Sequence, residues 1–241
     1  MKTIGIIPCR YQSSRFPGKP LALIDGKPMM WHVYQRALES NILDEVYIAT
    51  DDERIVKVAN EYELNTVMTS SQHETGTDRA AEVASKIQAD YYVNIQGDEP
   101  FIEQNAIKLV VQAIIDCDNP LIQATNAYTP MQDASDIVDT NTVKVIKDTN
   151  GQALAYSRQP IPYPKANIAK YYKQLGLYAF KQSGLQIFSE NTPANLERVE
   201  GVEMYRLLEH GYSIQMVETN DASISVDTPS DLIRVQERFG A

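Results

Sequence analysis

Over its first 115 residues the chain alternates short apolar runs with helical patterns, and this order confines it to a mainly parallel α/β sheet with helices on both faces. Thr3–Ile7, Glu45–Ala49, Thr66–Met68 and Tyr91–Ile95 read as strands. Met29–Ser40, Glu53–Tyr62, Asp78–Gln88 and Gln104–Ile115 read as helices. In the first of these, Met30, Val33, Tyr34, Ala37 and Leu38 share one face. Parallel neighbours need a crossover, and a helix of this length supplies it. After Pro120 the pattern changes: Leu121–Tyr128, Thr142–Ile146, Ala153–Tyr156 and Gln174–Phe180 read as strands with few helices between them. This is antiparallel material added to the main sheet. A Pro-rich stretch, Gln159–Pro164, reads as an extended loop. Then come a helix near Val199–His210 ending at Gly211, strands at Ile214–Val217 and Ile224–Val226, and a helix from Pro229 towards Arg238. The chain is expected to be a single domain over 1–241, with about 121–180 forming a smaller lobe.

The run Ile4–Pro8 leads into Arg10-Tyr11-Gln12-Ser13-Ser14-Arg15-Phe16-Pro17-Gly18-Lys19. Three cations therefore sit on a loop at the carboxyl edge of a core strand, where open α/β sheets bind ligands. In a chain of formal net charge −10, such a loop is either a solvated basic patch or a cradle for an anion with several charges, such as a nucleoside triphosphate. Pro20 follows Lys19, so Gly18-Lys19 is not a Walker loop, and the dinucleotide fingerprint is missing too. The turn Pro17-Gly18-Lys19-Pro20 fixes Lys19, and clamps of this kind stabilise charge that develops during phosphoryl or nucleotidyl transfer.

Asn94-Ile95-Gln96-Gly97-Asp98-Glu99-Pro100 leaves another buried strand at the same edge. Asp98 is the first candidate for holding Mg²⁺, because a carboxylate beside a triphosphate needs a divalent ion between them. Its alternative is a turn or helix cap. The amide of Gln96 suits the edge of a base. In Val226-Asp227-Thr228-Pro229-Ser230-Asp231, Thr228 and Asp231 suffice to cap the last helix. Asp227 is left over as a second metal ligand or a plain turn residue. At Thr75-Gly76-Thr77-Asp78-Arg79, Thr77 and Arg79 at a helix start face an anion or nucleoside, or the segment is ordinary capping. Thr50-Asp51-Asp52-Glu53 reads as a cap and first turn.

Other classes are disfavoured. The acidic balance argues against a broad nucleic-acid surface. No stretch approaches the roughly 20 apolar residues of a membrane span, and Met1-Lys2-Thr3 runs straight into a strand without a leader pattern. Cys9 and Cys117 form no disulfide framework, consistent with a cytoplasmic location. His32, His73 and His210 are scattered, which speaks against a zinc site, and no nucleophile elbow is present.

Across nearly its whole length the chain resembles the 3-deoxy-manno-octulosonate (Kdo) cytidylyltransferases. The likeness rests on Pro8–Leu21, Gly26-Lys27-Pro28-Met29, Thr75–Arg79, Asn94–Pro100, Tyr156-Ser157-Arg158, Leu175-Gly176-Leu177-Tyr178 and Val226–Pro229, in that order. The resemblance implies a Rossmann-like nucleotidyltransferase fold, a homodimer, CTP, Mg²⁺, and formation of a CMP-sugar and pyrophosphate for bacterial lipopolysaccharide or capsule. It places Arg10, Arg15 and Lys19 on nucleotide and phosphates, Gln96 on cytosine, Asp98 and Asp227 on the metal, and Arg158, Tyr178 and Glu203 near the sugar. Four residues depart from the family pattern: Cys9 for alanine, Asp78 for glutamate, Gln174 for histidine and Met204 for glutamine. The last two lie on the expected sugar side, so a related acid, such as 8-amino-Kdo or a sialic-type sugar, is an alternative substrate. A non-catalytic CTP-binding regulator on the same scaffold is a further alternative.

Overall fold

The computed structural model of the protein describes residues 1–13, 15–165, 169–220 and 224–239. Ser14 of the cationic loop lies outside them. In chain order the elements are β1 (Thr3–Pro8), β2 (Leu23–Ile24), β3 (Lys27–Pro28), α1 (Met29–Glu39), β4 (Glu45–Thr50), α2 (Glu53–Glu61), β5 (Thr66–Met68), α3 (Gly76–Lys86), β6 (Tyr91–Ile95) and α4 (Gln104–Ile115). They continue as β7 (Ile122–Pro130), α5 (Ala134–Val138), β8 (Lys144–Lys147), β9 (Ala153–Ser157), β10 (Tyr172–Lys181), α6 (Gln182–Glu190), α7 (Asn195–Glu200), α8 (Tyr205–Glu209), β11 (Ser213–Glu218) and α9 (Pro229–Phe239). The chain forms two compact units, residues 1–108 with 221–241, and residues 109–220.

The first unit is built on parallel strands. β1 is flanked by β6 (Thr3 opposite Tyr91) and β4 (Ile4 opposite Glu45), and β5 extends the sheet beyond β4. Ile4, Ile6 and Ile7 are completely buried, so consecutive residues of β1 are covered, as a parallel strand packed on both faces requires. The C-terminal segment returns to this unit through a second cluster. Ile24, Met29, Val226 and Val235 are completely buried, and Phe16, Phe101, Ile224 and Leu232 pack against them. Full burial of each such side chain contributes roughly 1.5–3 kcal/mol, which anchors both α9 and the loop after β1.

The second unit is mixed. β7 pairs antiparallel with β10 and parallel with β11, while β8 pairs antiparallel with β10 and β9. Between Gln174 and Tyr178 the β10–β7 register shifts, so Leu175-Gly176-Leu177 forms a bulge. The carbonyls of Leu175 and Leu177 are taken by the side-chain amide of buried Asn126 on β7, at 2.8 and 3.1 Å. The bulge thus leaves these two acceptors satisfied.

Several expectations change. The helix read at Val199–His210 is two helices, α7 and α8, because Gly201 is left-handed (φ 63°) and ends α7. Ile224–Val226 is not a strand; Val226 N–H instead donates to the Asp98 carbonyl at 2.9 Å. α5 and α6 were not anticipated. α6 begins directly after β10, with no side-chain cap to announce it.

Arg206 on α8 is buried and forms a two-point ion pair with Glu197 on α7, at 2.8 and 2.6 Å. Its guanidinium also donates to the Phe188 carbonyl at 3.1 Å, joining α6 to the pair. Removing one partner of a buried pair leaves a charge uncompensated. Glu197→Ala is therefore expected to lower stability by about 3–5 kcal/mol, read as a shift in the urea unfolding midpoint.

Candidate active site

β1 and β6 are parallel neighbours, so their carboxyl ends open on the same edge. Beyond β1, Cys9 N–H continues the ladder to the Ala49 carbonyl, at 2.8 Å. The loop that follows is closed by Gly18 N–H on the Tyr11 carbonyl, at 2.8 Å. Gly18 takes φ +73°, a conformation that costs glycine little. Lys19 then opens a short 3₁₀ turn, Lys19–Leu21, with Pro20 buried behind it. Arg54 stacks 3.3 Å over the Tyr11 ring while its fork grips Asp52, so α2 braces the loop from the side.

Beyond β6, Gln96-Gly97-Asp98 turns against the end of β1. A Cβ on Gly97 would lie 2.8 Å from the Pro8 carbonyl oxygen and 3.1 Å from Cys9 Sγ. Only glycine lets this turn come so close, and the approach brings Asp98 towards Lys19. The third segment is tied in by the bond from Val226 N–H to Asp98. Asp231 then accepts from Thr228 N–H (2.9 Å), Thr228 Oγ1 (2.8 Å) and Asp227 N–H (3.2 Å). Burial alone would raise the Asp231 pKa, but these donors hold it below its ordinary value. The cap is complete without the Asp227 side chain, as the sequence indicates.

These segments meet at one nitrogen. Lys19 Nζ lies 2.6 Å from Asp98 Oδ2 and 3.5 Å from Asp227 Oδ1, and Arg15 Nη2 lies 3.0 Å from the same Asp227 oxygen. The side chains of Lys19 and Asp98 are 15% and 22% exposed; that of Asp227 is 40% exposed. Two carboxylates far apart in sequence thus meet one shared ammonium at the sheet edge. Arg10 and Gln96, each partly exposed, follow β1 and β6 on the same edge. Cys9 is buried beneath them, and burial, reinforced by the charge of Asp98, pushes its thiol up to about 12. It is a packing residue and not a nucleophile.

The start of α3 differs from the expectation. Thr75 is the cap, accepting from Asp78 N–H at 3.1 Å. Thr77 is buried and its hydroxyl accepts from Asn94 Nδ2 at 3.2 Å. Arg79 is 0% exposed. Its guanidinium donates to Thr69 Oγ1 and lies 3.2 Å from Asp51 Oδ1. Burial lowers its pKa, Asp51 opposes that, and Arg10 adds to it. Arg79 is therefore an internal cation that ties α3 to the end of β4, and it does not stand on the surface of the cleft. Asp51 belongs to this pair, while Asp52 is the α2 cap as expected.

The expected sugar-side residues lie in the second unit. Tyr178 is buried and its hydroxyl accepts from Gln174 Nε2. Arg158 spreads its guanidinium over backbone carbonyls, Glu200 at 2.8 Å and Thr140 at 3.1 Å. It holds the chain that leads to partly exposed Glu203. Buried Lys144 grips the same region through the carbonyls of Asp139, Thr142 and Arg158. Met204 is completely buried, so this departure from the family pattern is a core residue. The sequence gives no sign of Asn126 or Lys144, and it points to a cap and first turn for Asp51, which instead pairs with Arg79. Each sits in an otherwise ordinary stretch, and only tertiary placement shows its partners.

A profile of the family described as Cytidylyltransferase matches residues 4–216. The chain is 44% identical to a 3-deoxy-manno-octulosonate cytidylyltransferase of Geotalea daltonii, over 99% of this chain and 98% of the relative. It is 44% identical to one of Syntrophobacter fumaroxidans, over the full length of both. A solved CMP:2-keto-3-deoxy-manno-octonic acid synthetase complexed with CTP superposes with a TM-score of 0.93 at 39% identity, covering 100% of this chain and 99% of that one. The fold is that of a nucleotidyltransferase. The chain belongs to the cytidylyltransferase family, among its 3-deoxy-manno-octulosonate cytidylyltransferases. No helix among the described residues is long and apolar enough to cross a membrane.

The loop into α3 is held by Glu82, which accepts from Ser70 N–H (2.8 Å) and His73 and pairs with Lys86 (2.7 Å). Burial works against its charge, but Lys86, Ser70 and His73 outweigh that and bring its pKa to about 2. A carboxylate depressed on folding stabilises the fold above its unfolded value of about 4.3. That contribution is lost as pH falls through about 2. Glu82→Gln is expected to flatten the loss of stability between pH 5 and pH 2, measured by urea unfolding across that range.

Proposed function

We propose that this protein transfers a cytidylyl group from CTP to Kdo, giving CMP-Kdo and pyrophosphate. The observation that carries the reading is the junction of Lys19, Arg15, Asp98 and Asp227 at the sheet edge, in a chain whose relatives bear the names given above. The anomeric 2-hydroxyl attacks the α-phosphorus, the bond to the bridging oxygen of the leaving pyrophosphate breaks, and the hydroxyl proton passes to solvent. Arg10, Arg15 and Lys19 neutralise the triphosphate and then the departing pyrophosphate. Gln96 reads the cytosine edge through its amide. Thr77 and Arg79 act from inside, by fixing the start of α3. Arg158, Tyr178 and Glu203 serve the sugar acid, with Arg158 holding the backbone that leads to Glu203.

The donor set suits Mg²⁺. Two carboxylates are what this ion takes from a protein when substrate phosphates and water complete its shell. Among the described residues no third His, Cys, Asp or Glu joins them to make an all-protein cage. Asp98 and Asp227 would hold the ion, which when bound lowers the pKa of the attacking hydroxyl and neutralises charge on the α-phosphate. Positioning by the surrounding side chains supplies much of the rest of the rate. We further place the enzyme in the cytoplasm as a homodimer, supplying bacterial lipopolysaccharide or capsule. Its unpaired thiols, Cys9 and Cys117, agree with a reducing compartment.

Mass spectrometry after incubation with CTP, Mg²⁺ and Kdo is expected to show CMP-Kdo, with 8-amino-Kdo and sialic acid as competing arms. Consumption of CTP only with one of those two acids would overturn the choice of sugar. Binding of CTP without turnover of any acid would overturn catalysis. Asp98→Asn is expected to keep the fold by circular dichroism and to lose about 2.7–4 kcal/mol of transition-state stabilisation, a 10²–10³-fold drop in kcat. A near-normal rate would remove Asp98 from the site.

A further inference from the structure

We infer that Lys19 is a built-in placeholder for the divalent cation, so that the metal loads only together with the triphosphate. The inference rests on the reading of Asp98 and Asp227 as metal ligands. Lys19 Nζ lies 2.6 Å from Asp98 Oδ2 and 3.5 Å from Asp227 Oδ1. Its ammonium therefore occupies the space that a cation shared by these two oxygens would need. The side chain is only 15% exposed, so it is not a mobile surface lysine that wanders through the cleft.

The surroundings keep it there. The Gly18–Tyr11 bond and the turn at Lys19–Leu21 set its backbone. Arg15 meets the same Asp227 oxygen at 3.0 Å, so Asp227 is already engaged by two cations. A divalent ion arriving alone would face both positive groups and would have to expel one from a short charge-assisted bond. A triphosphate changes this balance. Its oxygens offer Lys19 and Arg15 new acceptors, and both can leave the carboxylates without losing a partner. The carboxylates then become free as the phosphates bring their own demand for a cation. Nucleotide and metal arrive as one unit, and the aspartates are never left bare to repel each other or the incoming phosphates.

The test is direct binding of Mn²⁺, as a probe for the divalent ion, followed by electron paramagnetic resonance on the full chain. Wild type, Lys19→Met, Lys19→Gln, Asp98→Asn and the Lys19→Met/Asp98→Asn double variant are compared, with and without α,β-methylene-CTP. Thermal melts confirm that each is folded. Without nucleotide, both Lys19 variants are expected to bind Mn²⁺ about tenfold more tightly than wild type, and the double variant is expected to lose the gain. With the analogue, wild type is expected to bind Mn²⁺ tightly through Asp98. Lys19 variants that bind Mn²⁺ no better than wild type without nucleotide would overturn the placeholder. If Asp98→Asn leaves Mn²⁺ binding with the analogue unchanged, the metal reading itself fails, and the placeholder with it.

Discussion

One ammonium group joins three segments at the carboxyl edge of the first unit's sheet. Asp98 follows β6 and Asp227 precedes α9, and both turn to Lys19 on the loop after β1. At an effective dielectric near 20, two unit charges about 4 Å apart interact by about 4 kcal/mol. Carboxylates brought to one point without a cation would repel on that scale. With Lys19 between them the same electrostatics becomes an attraction that draws three chain segments to one place. The neighbouring packing supports it. Gly97 closes on Pro8, Val226 bonds to the Asp98 backbone, and Phe16 joins the apolar cluster that seats α9.

The sheet makes this junction possible at small cost. Because β1 and β6 are adjacent and parallel, the loops leaving them start side by side, and neither needs to be long. Asp227 reaches the same edge because the C-terminal segment folds back onto the first unit. Its helix is capped by Thr228 and Asp231, and that frees Asp227 for charge pairing. Covalent order, capping and charge therefore agree at this site, the consistency expected of a sequence that specifies one structure.

What could be read in advance follows from how local each cause is. β1, β4, β5 and β6, with the helices between them, carry their periodicity in their own residues. Asp227 stands out because the cap of the last helix leaves its side chain over, Asp98 because a carboxylate beside a triphosphate needs a divalent ion, and Lys19 because a rigid turn fixes a cation at the sheet edge. The break at Gly201 has a local sign: a glycine inside an otherwise helical pattern marks a left-handed end. Other features have no local sign. Arg79 and Thr77 sit at a helix start that resembles an anion site, yet Asp51, Thr69 and Asn94 claim them from below. Asn126 is an ordinary strand residue until the bulge in β10 presents it with two carbonyls.

The two departures expected on the sugar side have internal explanations. The amide of Gln174 donates one hydrogen to the Leu175 carbonyl, at 2.7 Å, and another to the Tyr178 hydroxyl. A neutral imidazole has a single N–H and could serve only one of them. Glutamine therefore stabilises the bulge and fixes the Tyr178 ring, leaving the phenolic proton to be given elsewhere. Met204 is enclosed by the core beside α8. An amide enclosed there would need hydrogen-bond partners or incur a desolvation penalty of about 1–3 kcal/mol. Neither change adds a charged group to the second unit. Both are packing and hydrogen-bonding adjustments behind Tyr178 and Glu203, and they are compatible with the same acid being activated.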